Sequence, residues 1–303
     1  MPPLDQSPLD QPSLDRPRPT GLTLVMGARR GIGRLVLDQL RTAGARVRAS
    51  SRDVQGWQAP DEVEAVRADL TDPASLASAF EGVQQVVLFA VRGEARRVAE
   101  AARAAGVRRV VLLSSGSVLV PTSRTNPITV EHRETEEAFA AVLGAALVPV
   151  RPLVLATNAL GWAHELRTSG HVSLYQPDAL NAPVHEADVA AVAVAALASP
   201  TGTALPAPVS DLLTGPRPLS QRAQVELVGE ALGRPVPVIK EGREQAHGRM
   251  TELMGAERAE PVLQFLDDCA AGHSPATGTA AAVLGREPLP YERWVSDHVG
   301  DFR

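Results

Sequence analysis

Cysteine, lysine and aromatic side chains are nearly missing from this 303-residue chain. The one cysteine, Cys269, leaves no partner for an intramolecular disulfide and no CxxC metal site. A lone thiol suits a reducing compartment, so a cytoplasmic location is expected. Lysine occurs once, at Lys240, and any mechanism that needs an ammonium group has that single candidate. Aromatic residues make up 3%, and the only phenols are Tyr175 and Tyr291. No apolar run approaches the roughly 18 residues of a membrane span. Residues 1–20 also lack the apolar stretch of a secretory signal. The formal net charge of −5 argues against a nucleic-acid-binding face.

What is present has the composition of a soluble enzyme. Hydrophobic residues at 44% supply a core that needs no covalent staple. Residues 1–20 carry a loose repeat, SPLDQPSLDRP, with no hydrophobic period, and read as an unstructured tail or a partner-docking segment. From Gly21 the pattern changes to strands at 22–26, 45–50, 63–68, 83–90, 109–114 and 145–150. Helices alternate with them at 34–43, from Pro73, at 94–105 and at 131–143. Strands that are nearly all apolar and alternate with helices predict an α/β fold, a doubly wound parallel sheet covered on both faces, over 21–155.

Beyond that point the regularity weakens. Helices are expected at 158–167, 186–198 and 220–232, short strands at 171–175 and 236–240, and a helical end. Residues 156–303 read as a smaller, mostly helical substrate-binding region packed on the core, with a cleft between the two.

The first strand runs into Gly27-Ala28-Arg29-Arg30-Gly31-Ile32-Gly33 and then a helix. A helix N-terminus offers unpaired N–H groups and partial positive charge. Glycines there let the backbone turn sharply and approach a pyrophosphate. This strand–turn–helix context predicts dinucleotide binding by Gly27, Gly31, Ile32 and Gly33. At the end of the second strand an NAD site would carry an acid for the ribose hydroxyl. Here stand Ser50-Ser51-Arg52, and Arg30 adds a second cation. Guanidinium forks suit a 2′-phosphate, which favours NADP(H) over NAD(H). Asp53 keeps the NAD alternative open through a one-residue shift, and Arg29 is a contact or a solvated loop charge. Asp69 and Leu70, after the third strand, are placed for the adenine, although Asp69 also suits a helix-start turn. Ala90 and Val91, at the end of the fourth strand, are also expected to contact the cofactor.

The chain resembles the atypical short-chain dehydrogenase/reductase families with NmrA-like and NAD(P)H-quinone-reductase-like members. The resemblance spans about residues 21–303. It is carried by GARRGIG, SSRD, ADLTD, LLSSGS, EHRETEEAF, RPLVLATN, PVHEADVAAVAVAAL and LLTGPRPLSQRAQVELVGEALGRPV. NmrA-like proteins have a glycine where Arg30 stands. The tyrosine-dependent branch uses a Tyr-x-x-x-Lys pair, in which the phenol protonates the carbonyl oxygen. Aligning EHRETEEAF puts His132 at the lysine position and Ile128 at the tyrosine position, and neither Tyr175 nor Tyr291 has a lysine four residues on. The resemblance thus implies a departure from ordinary carbonyl reduction.

His132 is the candidate catalytic group, either as a ribose contact or as an acid or base, against the reading of a histidine that only packs or caps. Ser115 lies where the superfamily places a substrate-orienting serine, against the reading of a strand-end residue serving backbone groups. Asn158, Trp162, Tyr175 and His185 are candidates for the substrate pocket, each with a structural alternative. His185-Glu186-x-Asp188 is not read as a metal site, because both acids suit a helix N-terminal turn. The expected function is an NADPH-dependent reductase passing hydride to a quinone, enone or similar small electrophile. The alternatives are a redox-sensing NADP(H)-binding regulator and a non-redox enzyme of bacterial secondary metabolism. A small-molecule substrate is expected, with no nucleic-acid or membrane partner, and a homodimer is compatible with the pattern.

Overall fold

The structure, a computed structural model, describes residues 19–199 and 208–303. The tail read at 1–20 lies outside the described residues, apart from Pro19 and Thr20. The elements of the first half are β1 (Leu22–Val25), α1 (Gly31–Thr42), β2 (Arg46–Ser51), β3 (Glu64–Arg67), α2 (Pro73–Phe80), β4 (Val83–Phe89), α3 (Ala95–Ala104), β5 (Arg109–Leu113), α4 (Pro127–Leu143) and β6 (Leu147–Pro152). The second half contains α5 (Ala163–Ser169), β7 (Val172–Leu174), β8 (Leu180–Asn181), α6 (Glu186–Ala198), β9 (Leu212–Leu213), β10 (Leu219–Ser220), α7 (Gln221–Leu232) and β11 (Val238–Lys240). It ends in α8 (Arg243–Met254), α9 (Ala256–Ala270), α10 (Thr279–Leu284) and α11 (Tyr291–His298).

Seven strands form one sheet in the order β3-β2-β1-β4-β5-β6-β9, with every neighbouring pair parallel. This is the doubly wound sheet expected from the alternation. Side chains leave alternate faces of each strand. Val86 and Leu88 of β4, with Val110 and Leu112 of β5, pack under α2, α3 and α4 around Phe80 and Phe139. Val87 and Val111 point the other way, under α1, α6 and α10. The second half therefore closes one face of the sheet, since α6 and α10 lie there and β9 extends the edge. A third cluster, around Leu166, Val225, Tyr291 and Trp294, holds α5, α7 and α11 together.

Helix ends are tied down by specific groups. Asp72 caps α2 by accepting from the N–H groups of Ala74 and Ser75, with Pro73 in the first turn. Arg109, buried at the start of β5, donates to the carbonyls of Ala196 and Ser199 at the C-terminus of α6. That satisfies carbonyls with no partner inside their own helix. The hairpin of α8 and α9 is anchored back on the first half, where Asn126 Nδ2 donates to the Pro261 carbonyl at 2.8 Å. Ser123 Oγ likewise donates to Asp268 at 3.2 Å.

Several expected boundaries shift for local reasons. The helix expected at 34–43 starts at Gly31, so its first turn contains the glycines themselves. The helix expected from 131 starts at Pro127, because Asn126 caps it and Pro127 suits its first turn. His132 accordingly stands in the second turn rather than at the helix start. The last core strand runs two residues later than 145–150, after a 3-10 turn over Gly144–Ala146. The helix expected at 158–167 is a 3-10 segment, Ala156–Trp162, followed by the short α5, which Gly170 ends in a left-handed conformation. The two-residue strand β9 has too little pattern to be read from sequence.

Candidate functional site

The crossover from β1 goes to β2 on one side and, later in the chain, to β4 on the other. Such a reversal opens a crevice at the carboxyl ends of the strands, where ligands of doubly wound sheets bind. The glycine loop leads from that crevice into α1. Gly33 is packed so closely that a Cβ would lie 2.5 Å from the Gly27 carbonyl oxygen, and only glycine fits. Gly31 has φ +53°, and a Cβ there would meet no protein atom within 4 Å. No side chain caps the first turn of α1, whose N-cap is Arg30. Exposed amides, partial positive charge and open space together fit a dinucleotide pyrophosphate.

The neighbouring strand ends are laced to this loop. Ala28 donates its N–H to the Ser50 carbonyl, and Ala68 donates to that of Ser51. Arg29 Nη1 donates to the Asp53 carbonyl at 3.1 Å, while the Asp53 carboxylate accepts from the Gln55 N–H in its own turn. Arg52 stands close enough to Asp69 to help hold that carboxyl below its usual range, after the two hydrogen bonds from Thr71. Asp69 Oδ1 is committed to those bonds, and Leu70 packs against the core under α2 and α3. Ala90 and Val91 follow β4, where the Ala90 N–H donates to the Leu113 carbonyl.

At the end of β5 two adjacent serines differ in their contacts. Ser115 Oγ accepts from the Ser117 N–H at 3.2 Å and lies 2.9 Å from Ser117 Oγ, capping the 3-10 turn Gly116–Leu119. Ser114, which sequence reasoning passed over, stands 3.5 Å from His132 Nδ1 instead. The doublet in LLSSGS was the available signal. Burial lowers the His132 pKa, and nearby Arg258 adds to the fall, against the opposing charges of Glu131 and Glu136. That shift favours the neutral imidazole, which can accept at one ring nitrogen and donate at the other.

The four pocket candidates diverge. Asn158 is exposed on the 3-10 segment. Trp162 packs against the third cluster. Tyr175 donates its phenol to Asp267 at 2.6 Å, and that bond raises its pKa. His185 is buried and caps α6, its Nδ1 accepting from the Ala187 N–H at 3.1 Å. It also walls a cavity of about 650 Å³ beside the first turn of α1, with Ile32, Thr157, Leu160, Glu186 and His298. The remaining phenol and thiol are removed from chemistry by burial, which raises the Tyr291 pKa and pushes the Cys269 thiol up to about 12. Lys240 lies on β11, exposed. Among the described residues no cluster of His, Cys, Asp or Glu is arranged to hold a metal, and no helix is long and apolar enough to cross a membrane.

Residues 27–200 match the family model described as NAD(P)H-binding. The chain belongs to that family. A reductase from Streptomyces griseus, named for (4-alkanoyl-5-oxo-2,5-dihydrofuran-3-yl)methyl phosphate, is 33% identical over 285 residues, covering 93% of this chain and 99% of the relative. Among solved structures, the NADPH complex of an NADPH-dependent quinone oxidoreductase from Escherichia coli shares the fold with a TM-score of 0.74. It is 20% identical and covers 91% of this chain and 99% of its own. Triphenylmethane reductase from Citrobacter superposes with a TM-score of 0.73 at 18% identity, covering 92% of this chain and 99% of its own. The resemblance to atypical short-chain dehydrogenases/reductases is borne out, and the chain is an NAD(P)H-dependent oxidoreductase.

Proposed function

We propose that this NAD(P)H-binding protein is an NADPH-dependent reductase of conjugated small electrophiles, in particular the C=C bond of an unsaturated lactone or enone. The observation that carries this reading is the pairing of Ser114 with a neutral His132 at the end of β5. A neutral imidazole and a hydroxyl orient and hydrogen-bond an oxygen, but they are weak acids. A conjugated acceptor needs little acid, because its own carbonyl takes up the incoming electron pair. The 33% identical relative, named for a compound that contains an unsaturated five-membered lactone, supports the same class.

Gly27, Gly31 and Gly33 would hold the pyrophosphate, with Ile32 and Ala90-Val91 beside it. Arg52, with Arg29 and Arg30 at the loop, would supply the positive charge that prefers a 2′-phosphate. When bound, the reduced nicotinamide supplies hydride to the β-carbon. His132, as its Nδ1–H tautomer, donates to Ser114 Oγ. The Ser114 hydroxyl is then free to donate to the substrate carbonyl oxygen, where enolate charge develops. Solvent returns the proton to the α-carbon, so no side chain needs a shifted acid pKa.

The test is titration with NADPH and NADH, followed by turnover with a panel of an unsaturated lactone phosphate, its free alcohol, an enone and a quinone. NADPH binding with consumption of the lactone or enone is expected. Binding without turnover of any panel member refutes the substrate class.

A further inference from the structure

The helix α9 lies along the entry to α4, and three contacts fix its direction. Asp268, near the end of α9, accepts from Ser123 Oγ at 3.2 Å. Earlier in α9, the Pro261 carbonyl accepts from Asn126 Nδ2 at 2.8 Å. At its first turn, Glu257 stands 3.7 Å from Arg92 Nη1, whose Nη2 stands 3.0 Å from Glu131 of α4. As α9 is followed back from 268 to 257, its partners advance from 123 to 131, so α9 runs antiparallel to the start of α4. Arg258 and Pro261 are three residues apart and share a helix face. Pro261 is buried against the α4 entry. Arg258 is therefore turned toward the second turn of α4, where His132 stands. Its charge is felt there. Burial does most to lower the His132 pKa, and the Arg258 guanidinium adds to the fall against Glu131 and Glu136.

Arg258 has no anion of its own. It is exposed, and among the described residues no hydrogen bond or ion pair engages its guanidinium. The neighbouring acids are occupied. Glu131 and Glu257 pair with Arg92, and Glu260 pairs with Arg243 at 2.7 Å. An exposed arginine without a partner is ordinary by itself. This one differs in placement, because the buried Asn126–Pro261 bond holds its helix beside the imidazole of the Ser114–His132 pair. A guanidinium presents a planar fork of donors that matches the oxygens of a phosphate or carboxylate.

We propose that Arg258 is a specificity-determining residue, which takes an anionic substituent of the substrate while Ser114 takes the substrate's carbonyl oxygen. This rests on the reading above that Ser114 and His132 meet the carbonyl of a conjugated electrophile. The substrate selected is a conjugated lactone or enone that carries a phosphate monoester or another ionised group. Contacts at two separate points, the carbonyl and the anion, fix the position of the acceptor carbon. The charge of the anionic substituent does not change during hydride transfer. Its contact with Arg258 therefore contributes equally to the ground and transition states, and acts on KM rather than on kcat.

The test is kinetics with an unsaturated lactone phosphate and its free alcohol, with kcat and KM read separately. The wild type is expected to favour the phosphate by about ten- to a hundredfold in kcat/KM. Arg258→Ala is expected to raise KM for the phosphate by most of that factor, with kcat and the Kd for NADPH little changed. Arg258→Glu is expected to prefer the alcohol. Arg258→Lys keeps the charge but loses the fork, and is expected to retain part of the preference. Added salt is expected to weaken the preference of the wild type and to leave that of Arg258→Ala alone. A loss of kcat in Arg258→Ala that is equal for both lactones makes Arg258 a group acting only through His132, and overturns the assignment. Equal kcat/KM for the two lactones in the wild type also overturns it and leaves the reductase reading standing. If the wild type consumes neither lactone, the reductase reading falls, and calorimetric binding of both to the NADPH-loaded protein decides the rest. A phosphate preference in binding that Arg258→Ala abolishes supports the anion contact, and equal binding overturns it.

Discussion

His132 Nδ1 lies 3.5 Å from Ser114 Oγ, across the gap between the end of β5 and the second turn of α4. The separation is long for a strong hydrogen bond. Contacts of this kind tighten when a substrate carbonyl arrives. Two elements that meet only in the folded chain thus put a hydroxyl and an imidazole at one point of the crevice. The adjacent Ser115 is spent on capping its own turn.

Ser114→Ala and His132→Phe are accordingly expected to lower kcat about a hundredfold with the Kd for NADPH unchanged. Ser115→Ala is expected to lose about 1 kcal/mol of folding stability with kcat kept. Steady-state kinetics beside urea unfolding separate the two serines. Loss of activity in the Ser115 variant alone would transfer the role to the residue the superfamily resemblance suggested.

The two glycines at the start of α1 are expected to fail differently. Gly33→Ala drives a Cβ into the Gly27 and Met26 carbonyls at 2.5 and 2.9 Å, so the loop must shift. Its melting temperature is expected to fall by several degrees and NADPH binding to vanish. Gly31→Ala meets no neighbour and carries only the left-handed backbone cost of about 1 kcal/mol. It is expected to fold, and to bind NADPH at least tenfold more weakly because the methyl group occupies pyrophosphate space. Equal binding by Gly31→Ala and wild type would contradict a pyrophosphate at that helix start.

Cofactor preference is expected to track Arg52. Arg52→Ala removes one charged donor from the β2 end and is expected to weaken NADPH about tenfold or more. NADH, which lacks the 2′-phosphate, is expected to be unaffected. The Asp53 carboxylate accepts from the Gln55 N–H in its own turn. An Arg52→Ala protein that weakens NADPH and NADH equally would return the choice between the two cofactors to Asp53.

The sheet was legible because its strands are nearly continuous apolar runs cut by glycine turns, and that pattern survives without tertiary information. The glycine loop was legible for the same local reason. The substrate side was not. Trp162 and Tyr175 are pocket candidates in sequence, and spacing does not show that one packs against the third cluster or that the other is bound to Asp267 on α9, 92 residues away. Glu186 was read as a helix-turn acid, and it is one. Its contact with His298, 112 residues later, is one that no spacing rule brings about. Ser114 and Ser115 are neighbours of one type, and only the direction of each side chain at the strand end distinguishes them.

The cluster around Glu186 gives a prediction about pH whose sign follows from its partners. Burial alone would lower the His298 pKa, but hydrogen bonds to Glu186 and Asp301 outweigh it, and the net shift is upward. His185 and Asp297 face the same group of side chains from α6 and α11. A histidine whose folded pKa is raised stabilises the fold fully below its unfolded value, about 6.5. That contribution is lost as pH rises through the folded value. Urea midpoints of wild type and His298→Gln, taken from about pH 6 to about pH 9, are the measurement. The wild-type advantage is expected to be largest at the acid end and to shrink as the imidazolium deprotonates. An advantage that grows with pH would mean that His298 is held neutral in the folded protein.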